Sequence, residues 1–304
     1  MISGFQPGDL ARARRRERWF LGTGLCALLL ALTAFLALFM HLLSEGLARL
    51  DWGFITRFAS RDADRAGILG AWSGTLHLML VTALVAVPLG VAAAVYLEEY
   101  ARRSWWTGLI EVNIGHLAAV PSIVFGLLAL GLFVQTLGLG QSLMTAGLTL
   151  GLLILPMVIV TTREALRAVP GSLREGAVAL GATRWQTVSH HVLPAALPGV
   201  LTGVILGLSR AIGETAPLLT IGALTFVAFL PPPMLSAEWP FVSGDWVDSP
   251  FISLPTQIYN WASRADPGFQ ANAASAALML LLLTLCMNAL AIWLRARLRR
   301  NLRW

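Results

Sequence analysis

Two ionisable side chains, Arg210 and Glu214, stand in the run Ser209-Arg210-Ala211-Ile212-Gly213-Glu214-Thr215-Ala216-Pro217, inside an otherwise apolar stretch. On a helix, a four-residue spacing brings both onto one face, so the carboxylate can orient the guanidinium and partly neutralise it. A guanidinium presents a planar fork of donors and stays charged at any working pH, which suits a tetrahedral oxyanion. Phosphate, sulfate and molybdate fit that geometry equally well. Ser209 and Thr215 flank the pair and join it as candidate pathway residues. The competing role is an ion pair that fixes helix packing or register. Inside a membrane, each charge costs about 2.5–3.5 kcal/mol on insertion scales, which makes function the default reading of such a pair.

The rest of the chain says that the surroundings are a membrane. Of 304 residues, 57% are hydrophobic and 12% charged, outside the range of soluble globular domains. The mean hydropathy is +0.71. Apolar windows long enough for a bilayer core of about 30 Å fall at 20–43, 74–97, 114–137, 143–162, 196–224 and 272–294. The expectation is an all-α, polytopic membrane protein with six transmembrane helices. The first window follows ARARRRER, but its length and the lack of a small-residue cleavage site make it a retained anchor. With the N-terminus cytoplasmic, sixteen Arg fall in inner segments and five (Arg49, Arg57, Arg61, Arg65, Arg264) in outer ones. The positive-inside rule favours that orientation, with both termini inside.

Helix five carries further signals. Ala195, Gly199, Gly203, Gly207 and Ala211 recur every fourth residue, a row that permits close approach to another helix in this chain or in a second subunit. Pro217 lacks an N–H and is expected to open the helix beyond Glu214. Between helices four and five lies a polar, helix-prone segment, EGAVALGATRWQTVSHHVLP from Glu175 to Pro194. Its small residues suit a short helix seated deeply in a partner's groove, with Gly181 turning the chain. A plain connection between two spans is the alternative. The segment resembles the cytoplasmic coupling loop of binding-protein-dependent ABC importer permeases. The match runs through Glu175, Gly176, Ala177, Gly181, Leu193 and Pro194, and Gly176 departs from the Ala usual in that pattern.

Longer blocks sharpen the resemblance: PLGVAAAVYLEEYA (88–101), VPSIVFGLLALGLFV (120–134), LPMVIVTTREALRAVPGSLREGAVALGATRWQT (155–187), SRAIGETAPLL and LPTQIYNWAS (254–263). Within 73–295 the chain is similar to phosphate ABC permeases of the PstA type, type I importer subunits of the CysTW/PstA-like group. Ala216-Pro217 favours PstA over the sister PstC. The resemblance implies one half of a translocation pathway in a prokaryotic inner (plasma) membrane, working by alternating access. It implies a PstC-type second permease, a PstB-type ATPase dimer at the coupling loops and a PstS-type phosphate-binding protein. ATP and Mg would be used by that ATPase, and this chain would bind no cofactor and catalyse nothing. The expected organisation is a tail, anchor and outer loop at 1–72, a permease domain at 73–295 with coupling loop 163–195 and outer loop 225–271, and a basic cytoplasmic tail at 296–304.

Other residues are weighed more plainly. Glu98 and Glu99 with Arg102 and Arg103 read as a solvated helix end. Arg163, Glu164, Arg167, Arg174 and Arg184 surround the coupling loop and could meet an ATPase or anionic headgroups. His77 and His116 are expected to be hydrogen-bonded packing residues, and His190 and His191 end the loop. Cys26 and Cys286 read as small core residues, and no spacing suggests a metal site. The outer segments 44–73 and 225–271, with Trp239, Trp246, Tyr259 and Trp261, could form short interfacial helices, a docking surface or a cover over the pore mouth. There is no GxxxxGK[ST], and with no Lys anywhere the chain cannot hold ATP in that way. The rival functions are a permease for molybdate or sulfate, and a secondary anion transporter without an ATPase.

Overall fold

The computed structural model of the chain describes residues 7–102, 104–223, 226–234 and 243–299, with side chains from 15 to 297 within those ranges. The described residues are almost wholly helical, with a single isolated bridge between Ser142 and Pro250. The long elements are α1 (Pro7–Gly46), α3 (Leu69–Val95), α6 (Leu143–Arg167), α9 (Leu193–Ala211) and α12 (Pro267–Arg299). Shorter ones are α2 (Trp52–Thr56), α4 (Trp105–Leu117), α5 (Ser122–Ala129), α7 (Gly171–Ala179), α8 (Arg184–Gln186), α10 (Ala216–Ile221) and α11 (Leu254–Ala262). Wider π-helical turns extend α3 over Tyr96–Tyr100 and α5 over Leu130–Thr136, and precede α9 over Thr187–Val192. Five helices are long and apolar enough to span a bilayer, and the bent pair α4–α5 makes six.

Two of the expected spans are broken. The window 114–137 is not one rod, because α4 and α5 meet at an angle of 105°. Pro121 supplies the reason: it disfavours the helical region for Val120 and starts α5 from its own φ of −56°. The window 196–224 is interrupted over Ile212–Thr215, between α9 and α10. Pro217 therefore does not kink a continuous helix; it sits in the first turn of α10, where a missing N–H costs little.

At the centre lies α6, with Ala146, Leu150, Ile154, Val158 and Leu166 fully buried. The small-residue row of α9 packs on it, so the partner of that row is this chain and not a second subunit. A Cβ on Gly199 would lie 2.6 Å from that of Ala165, and one on Gly203 would overlap the Thr161 hydroxyl. At Gly207 the approach is looser, 3.4 Å from Val158 Cγ2. Gly203→Val should therefore push α9 off α6 and destabilise the chain by about 1–3 kcal/mol, as overpacking does. A melting temperature in detergent equal to the wild type's would show that the contact is soft.

Among the described residues, segments 44–73 and 225–271 pack together as a cap rather than as loose connections. Phe54, Ile68, Ala71, Ile252, Leu254, Trp261 and Phe269 bury one another, with Trp261 tilted between Phe54 (centroids 6.0 Å) and Phe269 (6.2 Å). Trp261 and Trp246 are thus interior residues, while Tyr259 is exposed; Trp239 lies outside the described residues. The Leu254 N–H donates to Thr75 Oγ1 at 2.8 Å, and Arg49 Nε to Asn272 Oδ1 at 3.0 Å, tying the cap to α3 and α12. Cys26 and Cys286 are both exposed, which corrects their expected place in the core. In a membrane helix the apolar outer face is the normal place for a small hydrophobe.

Candidate functional site

Two groups of residues meet the requirements for chemistry or coupling, and α9 joins them. Arg210 ends α9, seventeen residues or about 25 Å along the helix from Leu193. Its Nε donates to Glu214 Oε1 at 3.4 Å across the break between α9 and α10. The Arg210 side chain is 43% exposed and that of Glu214 19%. A guanidinium held at this depth with so much free surface and one long intramolecular hydrogen bond has donors to spare for a ligand. Gly213 N–H to Arg210 O (3.3 Å) and Glu214 N–H to Ala211 O (3.2 Å) shape the break into a tight turn. Thr215 occupies the position before α10, beside Glu214, and its side chain makes no capping hydrogen bond. Ser209, expected beside the pathway, points elsewhere: its hydroxyl donates to Ile205 O and to Asn288 Oδ1 and so holds α9 to α12. Asn288, an amide within an apolar helix, is the readable signal that was missed.

The second group is built on α7. Glu175 and Gly176 are exposed, and Ala177 is buried against the body at 7% exposure. Gly181 adopts φ +86°, a left-handed conformation that favours glycine, and turns the chain after α7. Thr183 and Gln186 then form a reciprocal capping box that starts α8. Leu193 and Pro194 open α9, so the end of the segment is continuous with the helix that carries Arg210. The tip is apolar and bare: Leu180 is 90% exposed, Val178 59% and Trp185 66%.

The arginines around this segment are not free. Arg174 grips Glu99 through Nη2 at 2.7 Å and Nε at 3.2 Å, while Nη1 donates to Val169 O and Nη2 to Leu166 O, the carbonyls that close α6. Glu98 accepts from Arg163 Nε (3.3 Å) and from Arg167 Nε (2.9 Å). Arg163 reaches Glu111 of α4 with Nη2 at 2.7 Å, and Arg184 stacks over the Tyr100 ring at 5.3 Å. Glu98 and Glu99 therefore do not form a solvated helix end with Arg102, which is exposed, or with Arg103, which lies outside the described residues. Their side chains are 19% and 11% exposed, so the pairs with Arg163 and Arg174 are largely desolvated, whereas Arg167 is 57% exposed. Removing one partner of such a pair costs about 3–5 kcal/mol, against about 0–1 for an exposed pair. Glu111, one acid in an apolar stretch, was the other signal to read.

His77 Nδ1 lies 2.8 Å from the Ser73 carbonyl and its ring tilts against Trp246, the packing role expected. His116, His190 and His191 are exposed.

The model of the binding-protein-dependent transport system inner membrane component family matches residues 86–303. The chain belongs to this family. It is 33% identical over 284 residues to the probable ABC transporter permease protein YqgI of Bacillus subtilis, covering 92% of this chain and 94% of the relative. The phosphate transport system permease protein PstA of Xylella fastidiosa (strain Temecula1) is 33% identical over 86% of this chain and 84% of its own length. PstA of Mycobacterium leprae is 36% identical over 79% and 74%. Among solved structures, a bacterial ABC transporter that imports alginate aligns with TM-score 0.64 at 15% identity, over 95% of this chain and 99% of the other. The MetNI methionine ABC transporter aligns at 0.55 and 18% identity, over 76% and 95%. The family's fold is thus the one seen here, a multi-pass helical permease.

Proposed function

We propose that this chain is a transmembrane subunit of an ATP-driven importer of inorganic phosphate in a prokaryotic inner (plasma) membrane. The observation that carries the reading is the match over most of the chain to permeases named for phosphate transport. The geometry agrees with it: a guanidinium with unused donors near the end of α9, and a bare apolar tip on the segment that leads into the start of the same helix. Arg210, Glu214 and Thr215 line the pathway of the anion, and Ser209 positions them through α12. Glu175, Gly176, Val178 and Leu180 seat in a cytoplasmic ATPase while Ala177 holds α7 to the body, which puts both termini in the cytoplasm. The partners are a PstC-type permease, a PstB-type ATPase dimer and a PstS-type binding protein. The chain itself is non-catalytic, and ATP and Mg belong to the ATPase. Closure of the ATPase moves α7, and the pore alternates between two states whose balance ATP and the loaded binding protein bias.

The test is uptake of radiolabelled phosphate by proteoliposomes that hold the whole complex. Uptake should require ATP and the binding protein, stop with vanadate and resist excess sulfate or molybdate. Competition by either anion would move the substrate to another oxyanion. Uptake that ignores vanadate but collapses with an uncoupler would mean a secondary transporter.

A further inference from the structure

We propose that the Glu111–Arg163 ion pair is the joint that passes movement of the coupling helix α7 to the broken helix α4–α5 and so to the Glu214 patch. The inference rests on the ATP-driven importer reading. Its first link is the anchoring of α7. Arg174 fastens that helix to Glu99 at the end of α3, to Leu166 O in the last turn of α6 and to Val169 O just beyond it, so α7 cannot turn without those two ends. The second link is rigid: α3 and α6 touch so closely that a Cβ on Gly90 would lie 2.6 Å from Val158 Cγ1. Coupling helix, α3 and α6 therefore move as one body.

Helix α4 is held differently. It buries no side chain of its own, and its apolar contact with the body is Ile114, partly covered by Ala94, Leu97 and Ile159. Its polar grip is Glu111 Oε1 on Arg163 Nη2 at 2.7 Å. The Arg163 side chain is 11% exposed and stays fixed to Glu98, so it offers Glu111, itself 38% exposed, a preset anchor on α6. Beyond the 105° bend, α5 lies against α10, with Gly126 set so close that a Cβ there would meet the Pro217 backbone and overlap the Thr220 hydroxyl. Helix α10 starts two residues after Glu214. A contiguous set of contacts thus runs from the ATPase tip to the anion patch, and its one weakly packed member is clamped by a charge pair. Coupling through such a set needs an element with two arrangements, and the weakly packed α4–α5 elbow is the element assigned that role. Glu111 acts through Arg163 and is a positioning residue; it does not touch the anion.

The experiment uses the complete complex in proteoliposomes and reads phosphate moved per ATP hydrolysed for wild type, Glu111→Gln and Glu111→Asp. The Gln variant should assemble and hydrolyse ATP in response to the loaded binding protein, yet move phosphate at a ratio lower by about fivefold or more, the scale of a typical coupling free energy. Glu111→Asp keeps the carboxylate and should return the ratio to the wild-type range. An unchanged ratio in Glu111→Gln, even with a less stable complex, overturns the joint and leaves a packing role. So does an Asp variant as defective as the Gln. Wild-type vesicles that take up no phosphate with ATP overturn the importer reading and the joint with it, which separates the two failures.

Discussion

Arg210→Gln is expected to lower ATP-dependent phosphate uptake about ten- to a hundredfold, the equivalent of a charge-assisted hydrogen bond of about 1.5–3 kcal/mol, while the complex assembles normally. The expectation follows from what Arg210 touches. Its one described side-chain partner is Glu214 at 3.4 Å, and 43% of the side chain is open. Packing at this level is carried instead by Ser209 on Asn288 and by the glycine row on α6, neither of which the substitution alters. Arg210→Lys should fall between, because it keeps the charge but loses the fork that meets two oxygens at once. Initial rates of radiolabelled uptake, with the yield of complex as control, make the measurement. Full activity in Arg210→Gln would make the pair a structural one, the competing role from the outset.

Leu180→Asp is expected to release the ATPase from the detergent-extracted complex without changing the stability of the permease chain. A leucine that is 90% exposed contributes almost nothing to its own fold, yet seating it in a partner is worth about 1.5–3 kcal/mol. Glu175→Lys should act in the same direction through charge reversal. Gly181→Trp adds backbone strain, since φ +86° is a conformation that side chains other than glycine rarely adopt. Gly171→Ala, at the start of α7 and outside the proposed seat, serves as the control: nothing lies within 4 Å of a Cβ there, so binding should stay intact. Co-purification of ATPase with each variant decides the matter, and undiminished recovery with Leu180→Asp would remove α7 as the docking element.

The membrane class, the positions of the long spans, the polar, helix-prone segment before helix five and the Arg210–Glu214 pair were all legible in the residues. Hydropathy over twenty residues reads a spanning helix because lipid leaves the backbone no other partner. A four-residue spacing reads as a helical pair for equally local reasons. The 105° elbow was only half visible: Pro121 marks a boundary, but no local rule says whether the chain resumes in line. Glu98, Glu99, Arg163, Arg167 and Arg174 show the opposite limit. Each looks like a solvated charge near a membrane edge, and their pairings span 65 to 75 positions of sequence.

By itself the sequence determined what depends on solvent and near neighbours: an all-helical membrane protein, the Arg210–Glu214 pairing and a small-residue face on α9. The tertiary structure decided what depends on distant segments meeting. It assigned the glycine row to α6 of the same chain, turned Ser209 toward Asn288, buried Trp261 in a packed aromatic cluster and drew the edge charges into a network beside α7. The physical reason is that a charge or a glycine in a helix is compatible with lipid, partner or pore until a second helix arrives. Only the packing removes water from the pair and so says which of these it faces.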